Sequence, residues 1–172
     1  MAAFLPAFAA TMKHEGGYAY DPHDYGGETY KGISRKNFRG WSGWADIDRL
    51  KRDKDFPACL DRNADLQGKI REFYQRNFWT PSLDVIKDQD LANWLFDKGV
   101  NMGIRQAVKL IQRALHVDVD GVIGPQTMAQ LNAAEPIALL ADCREEAKRF
   151  YTKLALNDPT QTRFLHGWLA RA

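Results

Sequence analysis

Residues 14–33 read HEGGYAYDPHDYGGETYKGI. No other part of the chain looks like sheet. Tyr18, Tyr20, Tyr25, Thr29, Tyr30 and Ile33 are strand formers set around the turn-prone pairs Asp21-Pro22 and Gly26-Gly27. They predict a β-hairpin or small irregular sheet from Tyr18 to Ser34. Upstream, Phe4, Phe8 and Met12 recur at helical spacing and Gly16-Gly17 follows as a stop signal, which predicts a short helix ending near Glu15.

Downstream the pattern is helical. Residues 35–64 mix glycines, tryptophans and charges with weak periodicity, and predict loops and short helices. From Leu66 the period returns: Leu66, Ile70, Phe73, Tyr74 and Phe78 share one helical face that ends near Trp79-Thr80-Pro81. Asp90 is placed to cap a helix carrying Leu91, Trp94, Leu95 and Phe96, and Gly103 separates it from a helix marked by Ile104, Val108, Ile111 and Leu115. Pro125 predicts another helix start, and two more helices follow, one from Ile137 to about Leu156 and one from Gln161 to about Arg171. No β-α-β alternation is present, so a parallel sheet is excluded.

The 172 residues suit one domain or two small lobes sharing a core, with 45% hydrophobic and 27% charged residues, an ordinary globular balance. Lys and Arg number 24 against 22 Asp and Glu, a net charge of +2, far from the dense basic surfaces of nucleic-acid binders. Nucleic acid is therefore not expected as a partner. No stretch approaches the roughly 18 apolar residues that span a bilayer, and the apolar start, Met1 to Met12, has no basic residue ahead of it, so neither membrane insertion nor a signal peptide is expected. Cys59 and Cys143 are far apart and read as buried thiols. The four histidines are scattered, and Asp118 and Asp120 lack the further ligands of a calcium loop. No metal and no cofactor are expected.

Four carboxylates, Glu15, Asp21, Asp24 and Glu28, fall within the 14–33 stretch. Phe8, Met12 and Glu15 follow one another at i+4 and i+3, which places Glu15 on the apolar side of the first helix and at its negative end. Both settings favour the neutral acid. A protonated glutamic acid is what cleavage of a glycosidic bond requires, beside a second carboxylate in wetter surroundings that positions water or stabilises charge on the sugar. Asp24 and Asp21 suit the second role, and Thr29 could hold the water. The structural alternative is that Glu15 bonds backbone amides at a helix end while the others only make turns.

These residues carry a resemblance. Glu15-Gly16-Gly17-Tyr18 followed by D-x-G-G-x-T-x-x-G-I from Asp24 to Ile33 resembles the signature of glycoside hydrolase family 108, N-acetylmuramidases related to phage endolysins. F-Y-x-x-N-F-W at Phe73–Trp79, L-F-D-K-G-V-N-M-G at Leu95–Gly103 and D-G-V-I-G-P-Q-T at Asp120–Thr127 are similar to the same family and its C-terminal peptidoglycan-binding region. The resemblance covers essentially the whole chain. It implies a mainly α, lysozyme-like two-lobed fold with a small β-hairpin in the N-terminal lobe. It also implies cleavage of the β-1,4 bond between N-acetylmuramic acid and N-acetylglucosamine, with Glu15 as catalytic acid. The E-x8-D-x4-T spacing is similar to the Glu, Asp, Thr triad of phage-type lysozymes, which usually place five residues between the last two; Asp21 and Glu28 compete with Asp24 for the second position.

The expected organisation is a catalytic lobe over residues 1–88 bearing the hairpin and a helical lobe over 89–172, packed as one body. Tyr74 and Asn101 are the substrate-binding candidates, Tyr74 against a sugar face or in the core, and Asn101 on an acetamido group. The resemblance implies bacterial peptidoglycan as the partner, and the expectation is a monomer made in the cytoplasm and released to the wall through a holin, a secretion system or lysis. A phage or prophage endolysin leads, a secreted effector follows. A lytic transglycosylase and a non-catalytic wall-binding module are the alternative functions.

Overall fold

In the computed structural model, which describes residues 1–20 and 27–172, residue contacts divide the chain into two units. One is Thr11–Trp79; the other joins Met1–Ala10 to Thr80–Ala172. The first helix, α1 (Phe4–Met12), runs from one unit into the other.

The Thr11–Trp79 unit holds all the sheet found among the described residues. Strands β1 (Tyr18–Tyr20), β2 (Glu28–Tyr30) and β3 (Ile33–Ser34) form an antiparallel sheet in that order, with Tyr18 opposite Tyr30 and Tyr30 opposite Ile33. Only Lys31 and Gly32 join β2 to β3, at φ +47° and +76°. Two successive positive φ values give the turn whose twist matches paired strands, and Gly32 adopts its value without steric cost.

Helices α2 (Gly43–Leu50), α3 (Cys59–Arg62) and α4 (Ala64–Phe78) back the sheet. Asn63 starts α4 by accepting a hydrogen bond from the Leu66 amide at 2.9 Å. Of the apolar residues picked out by spacing, Leu66, Ile70, Phe73 and Tyr74 are buried and Phe78 is half-buried. Each large apolar side chain removed from water contributes about 1.5–3 kcal/mol, so this face fastens α4 to Tyr30, Ile33, Trp44, Ile47 and Leu60 in the same core. Trp44 donates its indole N–H to the Phe38 carbonyl at 2.8 Å.

The second unit is helical. It contains α5 (Pro81–Asp84), α6 (Gln89–Met102), α7 (Ile104–Ala114), α8 (Pro125–Ala133), α9 (Pro136–Asn157) and α10 (Thr162–Arg171). Gly103, at φ +87°, separates α6 from α7, and Pro125 opens α8, as the sequence predicts. The cap of α6 is Asp88 rather than Asp90: its carboxylate accepts from the Leu91 amide at 2.9 Å. Both aspartates lie within one turn of the helix start, and only backbone geometry separates them.

The D-G-V-I-G-P-Q-T segment is a turn closed by Gln112, a buried amide on α7. Gln112 donates to Asp120 (2.7 Å), the Val122 carbonyl (3.0 Å) and Thr127 (3.2 Å), and accepts from the Gly121 amide (2.8 Å). Cys59 and Cys143 are buried free thiols, and burial pushes Cys143 up to about 12. No helix among the described residues is long and apolar enough to cross a membrane.

Candidate active site

The α1 helix stops at Met12, where the His14 amide turns back to the Thr11 carbonyl at 2.9 Å, and Glu15 follows in a bend. Glu15 therefore lies beyond the helix, and the helical register inferred from Phe8 and Met12 does not reach it. What sets the surroundings of Glu15 is the β2–β3 turn. A Cβ added at Gly32 would overlap Glu15 Oε2 and come within 3.1 Å of its Cδ and 2.7 Å of the Tyr74 hydroxyl. The carboxyl group of Glu15 is thus seated on a bare α-carbon, with the Tyr74 hydroxyl beside it.

The turn itself is fastened from three sides. Tyr74, 2% exposed on α4, donates its hydroxyl to the Lys31 carbonyl at 2.6 Å. Lys31 Nζ meets Asp61 at 2.9 Å, and the Tyr30 hydroxyl donates to the same carboxylate at 3.0 Å while accepting from Gln67 at 2.9 Å. The Lys31 ammonium holds Asp61 below the ordinary carboxylate range, and burial pushes the Tyr30 phenol up. Tyr74 is a core residue packed between Phe73 and Phe78, with ring centroids at 5.5 and 5.6 Å, and its polar end supports the turn.

Glu28 has a different occupation. It is 7% exposed, with Arg35 Nε at 2.6 Å, Lys51 Nζ at 2.7 Å and the Tyr18 hydroxyl donating at 2.8 Å. The Arg35 Nε contact is off-axis, an ionic contact and not an aligned hydrogen bond. The Tyr18 phenol is pushed up by burial and then by this carboxylate. Arg35 also makes a fork onto Asp48 at 2.6 and 3.0 Å and lies 4.5 Å over the Trp44 ring. A carboxylate held by two cations and a phenol is an anchor for the sheet.

Thr29 is half-buried on β2, opposite Ala19 on β1 and Ser34 on β3. Strand alternation turns it to the face opposite Glu28 and Tyr30. Asp24 and Asp21 lie outside the described residues. Asn101 belongs to the other unit, on α6, where its side-chain oxygen accepts from the buried Tyr151 hydroxyl at 2.6 Å. The structure thus brings Glu15, Gly32 and Tyr74 together. Gly32 stands in the sequence motif as the glycine before Ile33 with no role assigned to it, and Lys31 is not singled out there; the signal for the turn was a glycine between two strand-forming stretches. No group of three or more metal-ligating side chains occurs among the described residues.

Residues 8–103, more than half the chain, match the family described as Glycosyl hydrolase 108. The chain belongs to glycosyl hydrolase family 108. Residues 106–172 match a second family, described as Predicted Peptidoglycan domain. Among solved structures the family 108 chain is similar to Brucella abortus SagA, at 25% identity and a TM-score of 0.68, over 98% of this chain and 88% of that one. No curated protein matches it. A glycoside hydrolase segment joined to a peptidoglycan domain makes this family 108 protein a peptidoglycan hydrolase.

Proposed function

We propose that the protein is an N-acetylmuramidase that hydrolyses the β-1,4 bond between N-acetylmuramic acid and N-acetylglucosamine, with Glu15 as general acid. The observation that carries this reading is the seat of Glu15. Its carboxyl lies on the Gly32 α-carbon beside the Tyr74 hydroxyl, within the segment matched to the hydrolase family. A turn held by Tyr74, Lys31 and Asp61 fixes the acid in place, and fixed geometry is what proton transfer to a leaving oxygen needs.

Glu15 protonates the glycosidic oxygen as the bond to the anomeric carbon breaks. Asp24 orients a water or stabilises the positive charge that develops on the sugar, with Thr29 assisting. The anchoring of Glu28 by Arg35 and Lys51 supports this assignment, because it removes one carboxylate from the choice. Carboxyl groups about 6.5–9.5 Å apart imply inversion, and a separation near 5 Å implies retention. Asn101 in the other unit is assigned to sugar binding through its amide, and Tyr74 to positioning the turn. An endolysin setting, with a monomer acting on the wall after release from the cell interior, belongs to the same proposal.

Mass spectrometry of fragments released from purified peptidoglycan tests the bond and the reaction together. Reducing N-acetylmuramic acid ends are expected. Reducing N-acetylglucosamine ends would contradict the assigned bond, and 1,6-anhydro ends would replace hydrolysis by transglycosylation.

A further inference from the structure

A groove of about 450 Å³ runs along the seam where α7 packs on α9, and every residue lining it lies in the peptidoglycan-domain segment. Its chemistry is one-sided. Arg113 from α7 and Arg149 and Lys153 from α9 face a single carboxylate, Glu146. Glu146 is already engaged with Arg149 at 2.5 Å, while Arg113 and Lys153 meet no carboxylate among the described residues. Phe150 supplies an apolar wall. Gln106, at the other end of α7, also lines the groove, and its amide nitrogen is buried without a hydrogen-bond partner. An amide donor in that position is costly until a ligand carbonyl satisfies it.

The α9 lining spans residues 146–157. That is about 16 Å of helix at 1.5 Å per residue, the length of an extended peptide of about five residues at 3.3 Å each. Peptidoglycan offers a matching component. Its glycan backbone is neutral where the lactyl group is amide-linked, and its free carboxylates lie on the short peptide stem. Arginine forks suit carboxylates, and the unpartnered Gln106 amide suits a peptide carbonyl.

We propose that the α7–α9 groove binds the acidic peptide stem of peptidoglycan, separately from the bond-cleaving chemistry at Glu15. The proposal rests on peptidoglycan being the substrate, but not on which glycosidic bond is cut or by which acid. A neutral glycan would leave Arg113 and Lys153 unmatched. A phosphate polymer would satisfy the arginines, but it has neither a carbonyl for Gln106 nor an apolar side chain for Phe150.

The test is calorimetric titration of the full chain with a synthetic, sugar-free stem tetrapeptide carrying its free carboxylates. Wild type and Glu15→Gln are expected to bind it equally and saturably. The Arg113→Ala/Lys153→Ala double variant, altered at two surface positions, should bind at least about tenfold more weakly. The same peptide with its carboxylates amidated should weaken by a similar factor against wild type. No saturable binding by wild type below about 10 mM, or equal affinity of wild type and double variant, would overturn the proposal. So would undiminished binding of the amidated peptide, or poly(glycerol phosphate) displacing the tetrapeptide as the tighter ligand. Stem binding with no release of muramic acid ends would leave the groove standing and refute the muramidase assignment instead.

Discussion

Position 32 accepts no side chain without moving Glu15. The backbone there is at φ +76°, and the atoms a methyl group would meet are the Glu15 carboxyl and the Tyr74 hydroxyl. Gly32→Ala should therefore cost about 1–2 kcal/mol of stability from backbone strain. Its larger effect should fall on catalysis, because the flexible end of Glu15 yields before the backbone does, and a misplacement of about 1 Å costs on the order of 100-fold. Rate on purified peptidoglycan measured beside the unfolding midpoint separates the two. Activity within about threefold of wild type would show that the Gly32 seat does not position the acid. Glu15 was legible in the sequence as a motif residue, but not its surroundings: the approach of Gly32 and Tyr74 depends on contacts across 17 and 59 positions of chain, which no local spacing encodes.

Among the elements, those with strong periodicity were readable. The α4 helix follows from Leu66, Ile70, Phe73 and Tyr74 because a single buried face dictates one register. The bounds of the third strand and of the α2 and α3 helices were not legible, because β3 is two residues long and α2 and α3 are too short to show a sustained period around Trp44, Ile47 and Leu60. The segment is also tied by charge pairs such as Arg35 with Glu28 and Asp48. Charge pairs between distant residues leave no periodic trace.

The most consequential of these joins α10 to α6. Arg171 makes a fork onto Asp97 at 2.9 and 3.1 Å, and Lys98, 1% exposed, meets Asp97 at 3.1 Å and the Arg171 carbonyl. Burial opposes the Asp97 charge, but Arg171 and Lys98 outweigh it and hold the carboxyl below its ordinary range. Burial dominates at Lys98 and pushes it down. For an acid lowered on folding, the unfolded chain binds the proton more readily, so the stability from Asp97 is complete above about pH 4 and is lost as pH falls through its lower folded value. Asp97→Asn removes the carboxylate shared by the buried Lys98 and the half-buried Arg171 and should cost about 3 kcal/mol at neutral pH. The variant should also lose part of the acid-side decline seen in wild type. A cost below about 1 kcal/mol in denaturant melts at pH 7 would contradict this role.

At the scale of the molecule, sequence families and packing divide the chain differently. The hydrolase match ends at Gly103, yet α6, inside that match, packs on α7 and α9 of the peptidoglycan domain. Leu91, Leu95 and Phe96 of α6 share a core with Ala107, Leu110 and Ile111 of α7. The helical character and the family were legible because both rest on local patterns, apolar spacing and contiguous motifs; the joining of Met1–Ala10 to the helical unit was not, because it depends on which buried faces meet. The measurement that bears most directly on the proposed activity is the rate of muramic acid end release from purified peptidoglycan by wild type and by Glu15→Gln. Glutamine keeps the shape of the side chain but cannot donate the proton, so a loss of at least about 100-fold with an unchanged fold is expected. Equal release by the two proteins would contradict Glu15 as the acid.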